Sequence, residues 1–212
     1  MEKLSVLSIC RHRLTTDGKG VTSLIALSGC PLHCQYCLNR QILSRDPSLY
    51  VICTPQELVD SVMIDYCYFV GTGGGITFGG GESLLQARAI HEVKHLLPEN
   101  VNVNLETCLN VPNELLTVVA DDISEFIIDI KDMNPDIYRS YTGRDNTQVL
   151  DNLTYLANKG LQDRCRIRIP RIPEYNTAKD IQRSVEQVRA LGFTDLDVFQ
   201  YVICPGTHPN AL

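Results

Sequence analysis

Short runs of apolar and β-branched residues alternate with longer segments of helical period along nearly the whole chain. That alternation constrains the fold more than any other feature, because it is the pattern of repeated β-α units around a parallel sheet. About six units can be counted, with strands predicted at 21–27, 75–78, 101–106, 126–131, 165–169 and 196–201. Several, such as Phe126-Ile127-Ile128, are nearly continuous apolar runs, as strands covered on both faces should be. A closed eight-unit barrel takes about 250 residues. A chain of 212 residues therefore predicts an α/β fold built as a partial (β/α)6 TIM-type barrel, its parallel sheet left open on one side. An open side can admit something large.

The helices carry their own punctuation. Thr54-Pro55-Gln56-Glu57 combines a capping threonine, a first-turn proline and a glutamate at the third position. Asn146 precedes the periodic set Val149, Leu150, Leu153, Leu156 and Ala157, with Gly160 as a stop. Thr177 and Asp180 open a helix carrying Ile181, Val185, Val188 and Leu191, closed by Gly192. No linker or low-complexity segment interrupts the series, so residues 1–212 read as a single domain.

Charge and composition exclude some classes. The 19 Lys and Arg against 25 Asp and Glu give a net charge of −6 with no basic block, which argues against a nucleic-acid partner. The apolar stretch from Met1 to Cys10, followed at once by Arg11, is too short and interrupted for a signal peptide or membrane span, which predicts a soluble, cytoplasmic protein. Nine cysteines are many for such a chain, and an odd number cannot all be paired in disulfides. Some of them should do chemistry.

Cys30, Cys34 and Cys37 fall in one short loop, Cys30-Pro31-Leu32-His33-Cys34-Gln35-Tyr36-Cys37, after the first predicted strand. Only three sulfurs are supplied where structural zinc or a closed iron-sulfur cubane takes four ligands, so one iron of a 4Fe–4S cluster would be left open. Two other readings exist: a zinc site completed by His33 or a distant cysteine, and three ordinary buried thiols.

The Cys-x3-Cys-x2-Cys spacing, with the aromatic Tyr36 before the last cysteine, resembles the signature of the radical S-adenosylmethionine (SAM) superfamily. Asp17-Gly18-Lys19-Gly20-Val21-Thr22 ahead of Gly29-Cys30-Pro31-Leu32, with Leu38-Asn39 following, resembles more narrowly the activating enzymes of glycyl radical enzymes, such as pyruvate formate-lyase activase. The likeness runs from about Ser8 to about Tyr201. It implies a radical SAM oxidoreductase in which Cys30, Cys34 and Cys37 hold a 4Fe–4S cluster whose open iron chelates SAM. Reductive cleavage then gives a 5′-deoxyadenosyl radical that abstracts hydrogen from a glycine of a partner glycyl radical enzyme. Reduced flavodoxin or ferredoxin is the implied electron donor.

The resemblance also assigns residues around SAM. Gly80, Gly81 and Glu82 match a Gly-Gly-Glu turn along the methionine part, although Ser83 stands where the family has proline. Tyr36 is implied as a further SAM contact. Glu106 and Thr107 match an acidic-Thr pair near the ribose, and Asp129 and Lys131 an acidic-x-Lys strand that bonds the nucleoside or methionine part. Read from the residues alone, Asp129 and Lys131 share a strand face and are either a solvated rim pair or ligands aimed into the barrel mouth. Glu106, Thr107 and Asp129 are also candidates for a monovalent cation site. Arg168, five residues before Pro173, matches the arginine that pairs with the SAM carboxylate, with Arg166 as runner-up and Glu174 where the family has glycine.

His91-Glu92-Val93-Lys94-His95 reads literally as a zinc-protease motif. At about 100° per residue, Leu85, Ala89, Val93 and Leu96 should share the buried face and turn both histidines to solvent. Cys10, Cys53, Cys67, Cys108, Cys165 and Cys204 lie singly and read as small buried hydrophobes, which leaves nothing for a ferredoxin-like insert and implies a minimal form. His208 matches no family position clearly enough to take a role. Two other functions remain: a radical SAM enzyme acting on a small metabolite, as deazapurine synthases do, and a non-catalytic metal-binding module.

Overall fold

The computed structural model describes residues 2–14, 16–43 and 46–203; Cys204 and His208 lie outside them. In chain order the elements are β1 (Leu4–Arg13), β2 (Thr22–Leu27), β3 (Val51–Cys53), α1 (Pro55–Val62), α2 (Tyr66–Thr72), β4 (Gly75–Gly80), α3 (Ala87–Leu96), β5 (Asn102–Thr107) and α4 (Asn113–Val119). After these come β6 (Glu125–Asp129), α5 (Pro135–Thr142), α6 (Thr147–Asn158), β7 (Cys165–Arg171), α7 (Ala178–Ala190) and β8 (Asp195–Gln200).

All strands join one sheet in the order β3-β1-β2-β4-β5-β6-β7-β8, and no pairing among the described residues joins its two edges. From β2 onward, through β4 to β8, neighbours run parallel, as the six predicted strands require. The antiparallel margin made by β1 and β3 was not predicted. β1 ends in Arg11-His12-Arg13, too polar to stand out as an apolar run, and β3 is three residues long.

Burial explains the parallel strands. Every residue of β4 but the last is buried, and Phe126, Ile127 and Ile128 of β6 are enclosed on both faces. β6 stops at Asp129, two residues short of the predicted end, and Lys131 follows in the left-handed region with φ of 60°.

The caps form largely as read. The Thr54 backbone N–H donates to Glu57 Oε2 at 2.8 Å while the Glu57 N–H donates to Thr54 Oγ1 at 3.2 Å. Thr177 N–H likewise donates to Asp180 Oδ2 at 2.9 Å. Asn146 does not cap α6: its Nδ2 donates to the Met133 carbonyl at 2.9 Å, and Asp145 Oδ1 accepts from Thr147 N at 3.1 Å instead. On α6 itself, Val149, Leu153 and Leu156 are buried while Leu150 faces out.

Candidate functional site

One cavity of about 450 Å³ opens where β2 and β4 to β8 end, the pole at which barrel folds carry their chemistry. It is lined by Cys30, Cys34, Cys37, Gly80, Gly81, Glu82, Glu106, Thr107, Asp129, Lys131 and Arg168. Residues predicted from five separate segments thus meet in one space, of a size that suits a small molecule.

The cysteine loop is pinned from several sides. Gly29 N donates to the Ile42 carbonyl at 2.9 Å, and Arg144 Nε to the Pro31 carbonyl at 3.2 Å. His33 N and Gln35 N donate at 2.9 and 3.1 Å to the carbonyls of Thr142 and Tyr141, two of the acceptors that the last turn of α5 leaves unused. The end of α5 therefore sets where the thiols point. His33 itself is exposed and does not line the cavity, so the zinc reading loses its nearest fourth ligand.

Fold, not sequence, brings a fourth cysteine to this space. Cys108 lines the cavity, and its Sγ donates to Glu82 Oε2 at 2.9 Å. Its thiol also hydrogen-bonds Cys30, which holds Cys30 below the usual thiol range against the opposing effect of burial. Cys108 is correspondingly pushed well up, by that bond and by burial. Burial chiefly raises the Cys34 thiol to about 12, with the neighbouring Cys30 and Cys37 adding to it and the Lys131 ammonium opposing it, so a bound cation would favour its thiolate. Cys165 is a buried single cysteine as expected, but Cys10 and Cys67 are exposed.

The glycine turn leaves no room for side chains. A Cβ on Gly81 would stand 2.2 Å from the Gly29 carbonyl oxygen, and one on Gly79 would stand 2.2 Å from Glu106 Oε2. Gly80 and Gly81 line the cavity beside the thiols with backbone alone. The Glu82 carboxylate, however, is spent inside the protein. It accepts from Thr107 Oγ1 at 2.7 Å, Leu84 N at 3.0 Å and Cys108 N at 2.8 Å, besides the Cys108 thiol. What the turn offers a ligand is its backbone carbonyls, and Glu82 fastens the ends of β4 and β5 together. Thr107 is spent in the same way, which leaves Glu106 and one oxygen of Asp129 as the acceptors of the suggested cation set with no hydrogen bond among the described residues.

Glu106 is half-buried, and enclosure, aided by the nearby Asp17 charge, raises its carboxyl to about 7. Across the cavity Lys131 Nζ donates to Asp129 Oδ2 at 2.6 Å. Burial works to lower the Lys131 ammonium, but the charges of Asp129 and Cys34 more than offset it and hold it well above its ordinary value. Asp129 Oδ1 is buried with no partner among the described residues. A buried carboxylate oxygen left so is costly unless a donor arrives. Arg168, which lines the cavity, bonds Asp197 Oδ2 through Nε at 3.3 Å, and its guanidinium lies 4.5 Å from the Phe199 ring centre.

Two predicted positions fall elsewhere. Tyr36 does not line the cavity: its ring is 1% exposed among Tyr141 and Tyr175, its hydroxyl donates to Glu174 Oε2 at 2.9 Å, and its carbonyl accepts from Tyr201 at 2.6 Å. It positions the loop. Arg166 reaches the opposite end of the sheet, pairing with Glu125 at 2.8 Å in a separate cavity of about 210 Å³. It is removed as an alternative to Arg168.

Comparisons with known proteins give the family and the fold. The family model described as the radical SAM superfamily matches residues 24–188. The 4-hydroxyphenylacetate decarboxylase activating enzyme of Clostridioides difficile is 26% identical over 224 aligned residues, covering 77% of this chain and 71% of the relative. The pyruvate formate-lyase 1-activating enzyme of Escherichia coli (strain K12) is 29% identical over 154 residues, covering 70% of this chain and 61% of its own length. Among solved structures, Streptococcus suis SuiB bound to S-adenosylmethionine superimposes with a TM-score of 0.66 at 13% identity. That match covers 85% of this chain and 40% of SuiB, and it supports the open barrel as a fold.

Proposed function

The chain belongs to the radical SAM superfamily, and from that premise we propose that it is an activating enzyme that takes a hydrogen atom from a glycine of a partner glycyl radical enzyme. Family membership brings a 4Fe–4S cluster and SAM as cofactors. The residues present fit them: three thiols, a bare-backbone turn, and a buried acceptor with no partner among the described residues share one cavity. That convergence is the observation that carries the reading. The two curated relatives, both named as activating enzymes and matched over most of this chain, direct it to a protein glycine.

In this reading Cys30, Cys34 and Cys37 hold the cluster. When bound, the cluster and SAM together supply one-electron cleavage of a sulfonium bond and hence the power to take hydrogen from carbon. The chain's own task is placement. Carbonyls at Gly80 and Gly81 would receive the ammonium of SAM, Arg168 its carboxylate, and Asp129 and Glu106 its hydroxyl donors, while Lys131 holds the Asp129 carboxylate in place. Tyr36 acts through the loop backbone. The open side of the barrel leaves a path for a polypeptide loop, which can bind largely through its own backbone. With the SAM residues assigned, few charged groups remain at the mouth to hold a polar metabolite.

We read residues 1–212 as one such domain, supplied with electrons by reduced flavodoxin or ferredoxin in the cytoplasm. All the described cysteines are free thiols, in keeping with a reducing compartment, and no described helix is long and apolar enough to cross a membrane.

Isotope transfer tests the assignment. A partner glycyl radical enzyme made with glycine deuterated at its α-carbon should pass deuterium into 5′-deoxyadenosine when incubated with the reduced, cluster-loaded protein and SAM. Deoxyadenosine that stays unlabelled while SAM is consumed would count against glycine as the hydrogen donor.

A further inference from the structure

The His91-Glu92-Val93-Lys94-His95 segment lies on α3, in the outer helix layer and away from the cysteine cavity. The helix does not sit as its sequence suggested. Ala87, Ala89, Ile90 and Val93 face the core, while Leu85 and Leu96 are exposed. This rotation turns both histidines toward the segment between α4 and β6. There the Asp122 N–H donates to the Val119 carbonyl at 2.9 Å, a turn that fixes the Asp122 carboxylate against the histidines.

Asp122 meets both rings. His91 Nδ1 is 2.6 Å from Asp122 Oδ2 and His95 Nε2 is 3.7 Å from Asp122 Oδ1, with the Asp122 side chain only 15% exposed. The two rings are edge to face, 4.4 Å between centres. One ligand atom from each of the three residues lies within 4.8 Å of the others. Two ligands bound to a tetrahedral ion at about 2.0–2.1 Å stand roughly 3.3 Å apart. The 2.6 Å and 3.7 Å contacts, made to different oxygens of Asp122, lie on either side of that spacing, and one atom from each residue, already within 4.8 Å of the others, has to draw in by at most about 1.5 Å to share one ion.

We infer that His91, His95 and Asp122 form a transition-metal site, separate from the iron-sulfur cavity, that ties α3 to the turn before β6. Two imidazoles and one carboxylate select a borderline ion such as Zn²⁺ over the all-oxygen chemistry of Mg²⁺ or Ca²⁺. The remaining position takes water. The nearby charged side chains do not block the site: Lys94 Nζ donates away from it to the Val101 carbonyl at 3.4 Å, and Lys159 pairs with the neighbouring Asp121. The inference does not rest on the proposed function, because no residue of the cysteine cavity takes part.

The probe is Zn²⁺ alone, titrated anaerobically into cluster-loaded wild-type protein and the His91→Ala/His95→Ala double variant against a chromophoric zinc indicator. Iron content and circular dichroism are read on the same samples. Subtracting the variant removes zinc held by exposed thiols common to both. The wild type should take up one Zn²⁺ more per chain, and Asp122→Asn should bind that ion at least tenfold more weakly. Zinc should also raise the thermal midpoint of the wild type and not of the double variant. Equal uptake by wild type and double variant overturns the site. Should the double variant lose iron or helix signal, His95→Gln, which alters a largely exposed ring, carries the same test: unchanged zinc affinity there overturns it too.

Discussion

Lys131 Nζ lies 2.6 Å from one carboxylate oxygen of Asp129, and the other oxygen, buried beside it, has no partner among the described residues. The pair is half of an arrangement that a hydrogen-bond donor completes. Replacing Asp129 by Asn keeps the shape and removes the charge that both Lys131 and a ligand would use. A charge-assisted hydrogen bond is worth about 1.5–3 kcal/mol, so Asp129→Asn should weaken SAM binding by roughly tenfold or more. Equilibrium dialysis with labelled SAM reads this directly. An unchanged affinity would place SAM elsewhere in the cavity.

The glycine turn gives a steric prediction. A methyl group at residue 81 would stand 2.2 Å from the Gly29 carbonyl, on the backbone that leads into the cysteine loop. Gly81→Ala should cost about 1–3 kcal/mol through overpacking and impair both SAM binding and cluster retention, because turn and loop must move apart. Thermal unfolding together with iron analysis checks it. A variant that keeps wild-type stability and SAM affinity contradicts the close approach.

Glu106 supplies the pH dependence. Its carboxyl is held at about 7, chiefly by burial, so it is largely neutral below that value and ionised above it. An ionised carboxylate is the stronger acceptor for hydroxyl donors and attracts the sulfonium cation. SAM affinity should therefore rise between about pH 6 and pH 8, and Glu106→Gln should flatten that rise. The same slope in the variant would assign the titration to another group.

Cysteine replacements separate ligands from neighbours. Cys30→Ala, Cys34→Ala and Cys37→Ala should each abolish the cluster on anaerobic reconstitution, measured as iron per chain and the visible absorbance of the cluster. Cys108 lines the same cavity, but its thiol is engaged by Glu82 and Cys30. Cys108→Ala should keep its iron. Rescue of iron binding in Cys30→Ala by Cys108 would mean that four thiols compete for three positions.

His91→Ala/His95→Ala should leave SAM cleavage and iron content unaltered, since α3 lies outside the cysteine cavity. Deoxyadenosine release at saturating SAM checks it. A large loss would mean that α3 supports the cavity from behind.

The parallel core of the barrel was legible because its strands are buried on both faces, which leaves long apolar runs such as Phe126-Ile127-Ile128. β1 escaped notice because the mixed polarity of an edge region carries no such signal. The cysteine loop could be read because its ligands are local in sequence. Cys108 could not, since it joins the other thiols only when β5 is laid beside β4. The glutamate of the glycine turn was recognised but its task was not. An isolated acidic residue says nothing about whether Thr107 and Cys108 will consume its acceptors. Asp129 and Lys131 were paired by strand alternation, yet they meet after the strand has ended, through the left-handed backbone at Lys131. Asp122 sits far from the histidine motif in sequence, so only the packing of α3 against α4 brought it to view.

In the proposed function this cavity directs radical chemistry to a protein glycine. Electron paramagnetic resonance tests it most directly, on an anaerobic mixture of the reduced, cluster-loaded protein, SAM and a glycyl radical enzyme encoded beside it. A persistent organic-radical doublet is expected, split by the remaining α-hydrogen of the partner's glycine and dependent on both SAM and the three loop cysteines. Turnover of a small metabolite, with SAM consumed and no radical on the partner, would contradict it.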